Sequence, residues 1–392
     1  MSNLARFENG AADDRQIITA LQSNVKALFV THDYGAYGAS KSLQLLLKNN
    51  PKLDISLVIP KKEILTLEKR CQIAKFYGIG TDKVKQFFLP WNNCFEGRKT
   101  DFKNGIIQAA KNILWKFNKH QFYQFIRESQ FDFIHLNSIV LSDVVVKFYP
   151  FIIHVREFLT ESSNILFHKI HQAKGIIFID ESVIEPFMSY RLNNELILNN
   201  PVDMTGVGKY IDTDALNGDC ATISIIGRIV KHKGIDFIIK SFKKAQSDGL
   251  RLFIVGDEGD GMRTGYPAFC REIASEDQRI IFWGREPDIN KIYAMSDYII
   301  RGEVDFRMGR SVLEALYSDC DVIVPIRNDH IVKTNEELTK FKSKVHTYLP
   351  RDMGSLTKTF LNLSGRKTQK RNFHSNINGY VKTFNEYISN IL

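Results

Sequence analysis

The sequence is poor in the features that mark a secreted, metal-holding or membrane-spanning chain. Its five cysteines, Cys71, Cys94, Cys220, Cys270 and Cys320, lie far apart and form no Cys-x-x-Cys pair. That spacing argues against a disulfide framework or a zinc site and fits a reducing, cytoplasmic setting. No run reaches the roughly 18 apolar residues a spanning helix needs. The opening stretch MSNLARFENGAADDRQ lacks the apolar core of a signal peptide. No Asp-x-Asp motif closes a strand; DESVIE and DEGD come nearest and read as turns, so no metal is expected. Helix-turn-helix, zinc-finger and RNP patterns are missing too, which sets nucleic acid aside as a partner. There is no internal repeat and no low-complexity tract.

What is present is a basic chain of 392 residues with a net charge of +9. The length favours two domains over one core. The charge points to an anionic partner, either a phosphorylated ligand or an acidic membrane face. Residues 1–24 read as a flexible extension. From VKALFVTHD onward, short apolar runs alternate with helical periodicities: DISLVIP, KVKQFFLP, FDFIHLNS, PFIIHVRE and GIIFIDES, then ATISIIGRIV, LRLFIVGDEG, QRIIFWGRE, DYIIRGE and CDVIVPI. Such alternation predicts parallel sheets covered by helices. The fold class is therefore α/β: two Rossmann-like, doubly wound domains facing a central cleft. The expected divisions are 25–203, a glycine-containing linker at 204–220, a second domain at 221–370, and a helix at 371–392 packing back on the first domain.

In sheets of this kind ligands bind beyond the carboxyl ends of the strands. In IIGRIVKHKGI, Gly227, Arg228, Lys231, Lys233 and Gly234 lie between a strand and a helix. Arginine grips phosphate oxygens in pairs, lysine adds a point charge, and the helix start adds its positive end. A merely solvated turn is the plainer alternative. Gly256 ends the next strand, followed by Asp257 and Glu258, which can cap a helix. Gly284 and Arg285 end the strand after it, where backbone groups from Phe282 to Gly284 can read a nucleobase edge or simply form a turn. Ser311-x-x-Glu314 fits a capping box; alternatively Glu314 holds two ribose hydroxyls, as acids after Rossmann strands do.

Taken together, GRIVKHKGIDFIIKSF, LFIVGDEG, IIFWGRE, SDYIIRGE and GRSVLEALYSDCDVIVP resemble, in order and spacing, the donor-binding half of GT-B glycosyltransferases of family 4 (glycosyl transferases group 1). THDYGAYGASKSL, FIIHVRE and LILNNPVD look like that family's glycine loop, histidine strand and hinge. The resemblance implies a metal-independent hexosyltransferase that retains configuration and needs no cofactor. It would move a sugar from UDP- or GDP-sugar to a surface polysaccharide, such as lipopolysaccharide or capsule, or to a lipid-linked glycan. Residues 25–203 become the acceptor side and 221–370 the donor side. Arg228 and Lys233 match the diphosphate-binding pair, and Glu314 matches the ribose-holding Glu. Gly309, Arg310 and Ser311 match backbone near phosphate, Gly35 and Gly38 the glycines approaching it, and His154 the histidine near the reacting sugar. One position departs: Phe306 stands where the first Glu of the Glu-x7-Glu motif belongs. Glu303 or Asp305 is the expected substitute, with Arg307 or Arg310 adding a contact.

Residues 98–127 mix lysines with Trp115, Phe117, Phe122, Tyr123 and Phe125. They can lie on an anionic membrane face, making the protein peripheral on the inner side, or form an ordinary helix with its aromatics inward. Two other readings stay open for the whole chain: a non-catalytic nucleotide-sugar-binding protein, and a GT-B enzyme that converts nucleotide sugars.

Overall fold

The computed structural model describes residues 25–35, 38–90, 102–144, 149–157, 169–192, 194–210, 220–258, 265–304, 306, 308–327, 335–363 and 372–392. Two compact units divide the chain. Unit 1 comprises residues up to Asn199 together with Gly379–Leu392, and unit 2 comprises Asn200–Asn378.

Unit 1 is built on seven parallel strands, β1 (Val25–Val30), β2 (Leu53–Pro60), β3 (Val84–Phe87), β4 (Phe133–Leu136), β5 (Phe151–Val155), β6 (Gly175–Phe178) and β7 (Glu195–Ile197), in the order β3-β2-β1-β4-β5-β6-β7. Its helices are α1 (Gly38–Lys48), α2 (Leu67–Tyr77), α3 (Phe102–Ser129) and the short α4 (Glu181–Ile184). The strands read as continuous apolar runs because both faces are covered. Leu28, Val30, Ile134, Leu136, Ile153 and Phe178 face one core, which includes Trp115 and Phe122 of α3. Ala27, Phe29, Phe133, Ile152 and Ile177 face the other.

Unit 2 has six parallel strands, β8 (Ala221–Ile226), β9 (Leu250–Val255), β10 (Ile280–Gly284), β11 (Tyr298–Ile300), β12 (Asp321–Pro325) and β13 (Val345–Tyr348), in the order β10-β9-β8-β11-β12-β13. Its helices are α5 (Ile235–Ala245), α6 (Gly265–Ala274), α7 (Asn290–Met295), α8 (Arg310–Tyr317), α9 (Glu336–Lys340) and α10 (Met353–Leu361). In α5 the buried residues Ile235, Ile238, Ile239 and Phe242 recur at helical spacing and form one apolar stripe. The described part of the expected linker is not a linker. Thr205–Tyr210 is a 3-10 helix packed on α7, with Val207 fully buried and Tyr210 donating its hydroxyl to Asp288. Residues 211–219 lie outside the described residues.

The last helix, α11 (Ile377–Ile391), follows unit 2 in sequence, yet Tyr380, Phe384, Ile388 and Ile391 complete the second core of unit 1. This is the packing expected of the C-terminal segment. The two stretches of unit 2 that adjoin unit 1 are stitched together. Val202 N–H donates to Asn376 Oδ1 at 2.8 Å, Asn376 Nδ2 donates to the Asn200 carbonyl at 3.2 Å, and Asp203 bridges Ser375.

Candidate functional site

In unit 2 the strand order reverses between β8 and β11, so the crevice beyond their carboxyl ends is where a doubly wound sheet offers a ligand site. Gly227 and Arg228 follow β8, and a 3-10 turn, Lys231–Lys233, leads into α5. Arg301, Gly302 and Glu303 follow β11, and a small pocket is lined by Gly227, Arg228, Lys233, Arg301 and Glu303. Gly234 makes this meeting possible. Its φ is +63°, and a Cβ there would sit 2.0 Å from the Gly302 carbonyl oxygen. The lysine turn thus rests directly on the backbone after β11, an approach only glycine allows.

Arg228 is exposed and forms no ion pair among the described residues. Lys233 Nζ donates to Glu303 Oε1 at 2.6 Å. Arg301 holds the same carboxylate with two groups, Nη2 to Oε1 at 2.6 Å and Nε to Oε2 at 2.9 Å. Burial pushes the Glu303 carboxyl up, but Arg301 and Lys233 outweigh it and hold its pKa well below the usual carboxylate range. Glu303 is therefore an ionised, cation-bound group rather than an open carboxylate awaiting a sugar, which corrects the sequence expectation. Asp305 and Arg307 lie outside the described residues. Phe306 is buried in the apolar cluster with Val202, Met308 and Val312, so among the described residues no carboxylate occupies that place.

Arg301 Nη1 also donates to Ser311 Oγ at 2.8 Å, in the first turn of α8. Gly309 precedes that turn, and a Cβ there would come 2.4 Å from Arg301 Nη1. Glycine is needed at this point for space, since its φ is an ordinary −74°. Gly309 is the N-cap, and no side chain caps the helix. The Ser311–Glu314 capping box is thus absent. Glu314 is buried; its Oε1 accepts from Arg310 Nε at 3.1 Å and Nη2 at 2.8 Å, and its Oε2 accepts from Tyr293 at 2.8 Å. Arg310 Nη1 donates to the Pro201 carbonyl at 2.8 Å, tying α8 to the segment that opens unit 2.

The glycines of the neighbouring strands lie where expected, with Gly256 N–H donating to the Gly284 carbonyl at 2.8 Å. Arg285 is exposed beside them. Glu258 does not cap α6. It is buried and ion-paired with Arg271, whose guanidinium lies 4.4 Å from the Phe282 ring centroid.

In unit 1, Asp33 closes the loop after β1: its Oδ1 accepts from Tyr34 N–H at 2.9 Å, Gly35 N–H at 3.2 Å and Lys62 Nζ at 3.2 Å. Gly38 begins α1. His154, expected near the reacting sugar, is fully buried. Arg156 Nη2 lies 3.1 Å from its Nδ1. Because the guanidinium can only donate, Nδ1 accepts and the neutral ring carries its proton on Nε2. That Nε2 has no hydrogen-bond partner. The His135 ring packs edge-on at 5.5 Å from His154. Burial pushes both imidazoles down, and the Arg156 charge adds to that, taking His135 to about 3. Arg156 Nε donates to Asn137 Oδ1 at 3.0 Å. Glu157 accepts from Ser138 and, at 3.1 Å, from Ile139 N–H, so these two charged groups anchor the ends of β4 and β5.

Within 98–127 the two sequence readings divide the helix between them. Trp115 and Phe122 are buried, and Tyr123 and Phe125 pack against them. Phe117 is 74% exposed, and Ile106, Ile107, Ile113 and Leu114 are exposed as well. Residues 98–101 lie outside the described residues.

Sequence reasoning gave no role to Arg301, although it stands in the charged stretch before α8, and did not find Tyr293. The period of two along an extended chain was an available signal for Arg301, since it places residues 301 and 303 on one side. Tyr293 had none, being a core residue whose hydroxyl partner comes from another helix.

Residues 220–339 match the model of the family described as glycosyl transferases group 1. No curated protein sequence matches the chain. Among solved structures, the chain is similar to Anabaena Alr3699/HepE in complex with UDP and glucose, with a TM-score of 0.65 and 14% identity over 93% of this chain and 99% of that one. It is similar to a glycosyltransferase from Rickettsia africae ESF-5, with a TM-score of 0.60 and 12% identity over 94% and 95%. It is also similar to the lipopolysaccharide outer core galactosyltransferase WaaB in its apo form, with a TM-score of 0.58 and 16% identity over 94% and 100%. At these identities the likeness shows the fold: two Rossmann-like α/β units of the GT-B class. The resemblance read from the sequence stands, and unit 2 is glycosyltransferase-like in sequence as well as in fold. Among the described residues no helix is long and apolar enough to cross a membrane.

Proposed function

We propose that this protein is a retaining glycosyltransferase. It moves a hexose-type sugar from a UDP- or GDP-sugar to a hydroxyl of a surface polysaccharide or lipid-linked glycan. The observation that carries this reading is the cationic group of Arg228 and Lys233, set at the switch point of a unit whose residues 220–339 match the glycosyl transferases group 1 model. These side chains, with the backbone N–H groups of Gly309, Arg310 and Ser311, neutralise the leaving diphosphate, so the reaction needs no metal. Glu314 takes the ribose hydroxyls, its carboxylate held in place by Arg310 and Tyr293. Gly256, Gly284 and Arg285 border the nucleoside.

The apolar exposed side of α3 supports a peripheral docking on an anionic membrane. Phe102–Arg127 contains no acidic residue, and Lys116 and Lys119 are exposed beside Ile113, Leu114 and Phe117.

A panel of UDP-, GDP-, dTDP- and CMP-sugars tests the central claim by thermal shift. A ligand at a hundred times its dissociation constant stabilises by about 2.7 kcal/mol. A UDP- or GDP-sugar is expected to raise the melting temperature, and a flat response across the panel sinks the reading. The buried Phe306 and the cation-bound Glu303 favour one rival, a nucleotide-sugar binder without turnover. Donor binding with neither transfer nor hydrolysis across an acceptor panel would establish it.

A further inference from the structure

Glu303 shares its charge between two cations of different kinds. Arg301 is buried, with its side chain 11% exposed, and reaches both carboxylate oxygens. Lys233 is 29% exposed at the side chain and reaches only Oε1, the oxygen that Arg301 also uses. The guanidinium has two further neighbours: Nη1 donates to Ser311 at 2.8 Å and the backbone at Gly309 lies against it, while Tyr348 donates its hydroxyl to the Arg301 main-chain carbonyl at 2.6 Å. Glu303 is thereby held in one orientation by a rigid partner. Lys233, on a flexible stem with three rotatable donors, competes for a carboxylate already taken up.

We propose that Arg301 is a positioning residue for the nucleotide diphosphate: by sharing the carboxylate that Lys233 also holds at 2.6 Å, it keeps the three side chains net positive and so keeps the lysine turn attractive to the ligand. This rests on the donor-site reading given above and assigns a residue to it. Without Arg301, Glu303 and Lys233 remain as a neutral pair. Without Glu303, both cations lose that carboxylate and the pocket attracts an anion more strongly.

The test is a titration calorimetry series with UDP and, separately, GDP on the full chain. Arg301→Met is expected to bind the better of the two roughly tenfold more weakly than wild type, the scale of one charge-assisted hydrogen bond. The double variant Arg301→Met/Glu303→Gln removes the competing carboxylate and is expected to recover most of that loss. Glu303→Gln alone is expected to bind more tightly than wild type, and it serves as the second arm if Arg301→Met folds poorly. A purely structural role for Arg301 predicts no recovery in the double variant, because both fixed groups are then gone. Wild-type binding with Arg301→Met within twofold of it overturns this inference alone, as does a double variant no better than the single or a weakened Glu303→Gln. Wild type that binds neither nucleotide overturns the donor-site reading, and this inference with it.

Discussion

Tyr293 donates its hydroxyl to Glu314 at 2.8 Å, and both side chains are buried. Burial raises the tyrosine pKa well above its ordinary value, and the Glu314 charge raises it further, so the hydroxyl keeps its proton and acts as a donor. Glu314 thus sits between a neutral donor and Arg310, and each has consequences when the carboxylate is removed. Glu314→Ala is expected to leave the Arg310 charge buried without that partner, at a cost of about 3–5 kcal/mol. Differential scanning calorimetry should record a fall of several degrees in the transition of unit 2. Glu314→Gln keeps the Tyr293 contact and should fall less.

Gly234 gives a sharper steric prediction. Alanine there meets both a left-handed φ and the Gly302 carbonyl at 2.0 Å. The lysine turn must move away from β11, so Gly234→Ala should weaken UDP or GDP binding and lower the melting temperature together. Gly249→Ala, where a Cβ meets nothing within 4 Å, is the control that should leave both unchanged.

The buried imidazole pair of unit 1 sets an acid limit. His135 has its pKa lowered from 6.5 to about 3 in the folded state, first by burial and then by Arg156. A folded pKa below the unfolded one gives stability that is full above pH 6.5 and is lost as pH falls toward 3. His135→Phe removes the titrating group and keeps a ring against Phe29 and Phe384. Its melting temperature should therefore fall less than that of wild type between pH 7 and pH 4.

Asp180 works in the opposite direction. Burial pushes its carboxyl up to about 6, against the hydrogen bonds from Ser182 and Val183, and its Oδ2 has no partner. A raised carboxyl pKa favours the folded state below pH 3.8, and that contribution is lost as pH rises through 6. Asp180→Asn keeps an acceptor for the two N–H groups. It should be stabilising by roughly 2–3 kcal/mol at pH 8 and nearly neutral at pH 4, measured by thermal unfolding.

Vesicle flotation examines α3. Phe117→Asp changes a side chain that is 74% exposed and should leave folding intact. Reduced flotation with anionic vesicles, and little flotation of wild type with zwitterionic ones, is the expected pair. Equal binding to both lipids removes the membrane proposal.

Much of the fold could be read from the chain because β1, β8 and β12 are continuous apolar runs between turn residues, a pattern set by burial on both faces. The site was legible where chemistry lies local to a strand end, as with Arg228 and Lys233. It was not legible where a partner is distant: Glu303 meets Lys233 across 70 residues, and the pairing depends on two glycines packed back to back. Ser311-x-x-Glu314 misled because its spacing suits a capping box, while the N-cap is Gly309, two residues earlier, and Glu314 turns inward to Tyr293 and Arg310. Val207 was taken for linker because its burial needs α7, about eighty residues further on.

The helix that finishes the second core of unit 1 is made after the whole of unit 2. During synthesis Phe29, Phe133 and Ile177 must wait for Tyr380, Phe384 and Ile388, with the whole of unit 2 emerging in between. Unit 2 can therefore fold as a contiguous segment while the part of one sheet face that this helix covers remains an exposed apolar surface. A chain halted or clipped before Ile377 would keep its candidate donor unit yet leave unit 1 without Tyr380, Phe384 and Ile388 and open to aggregation.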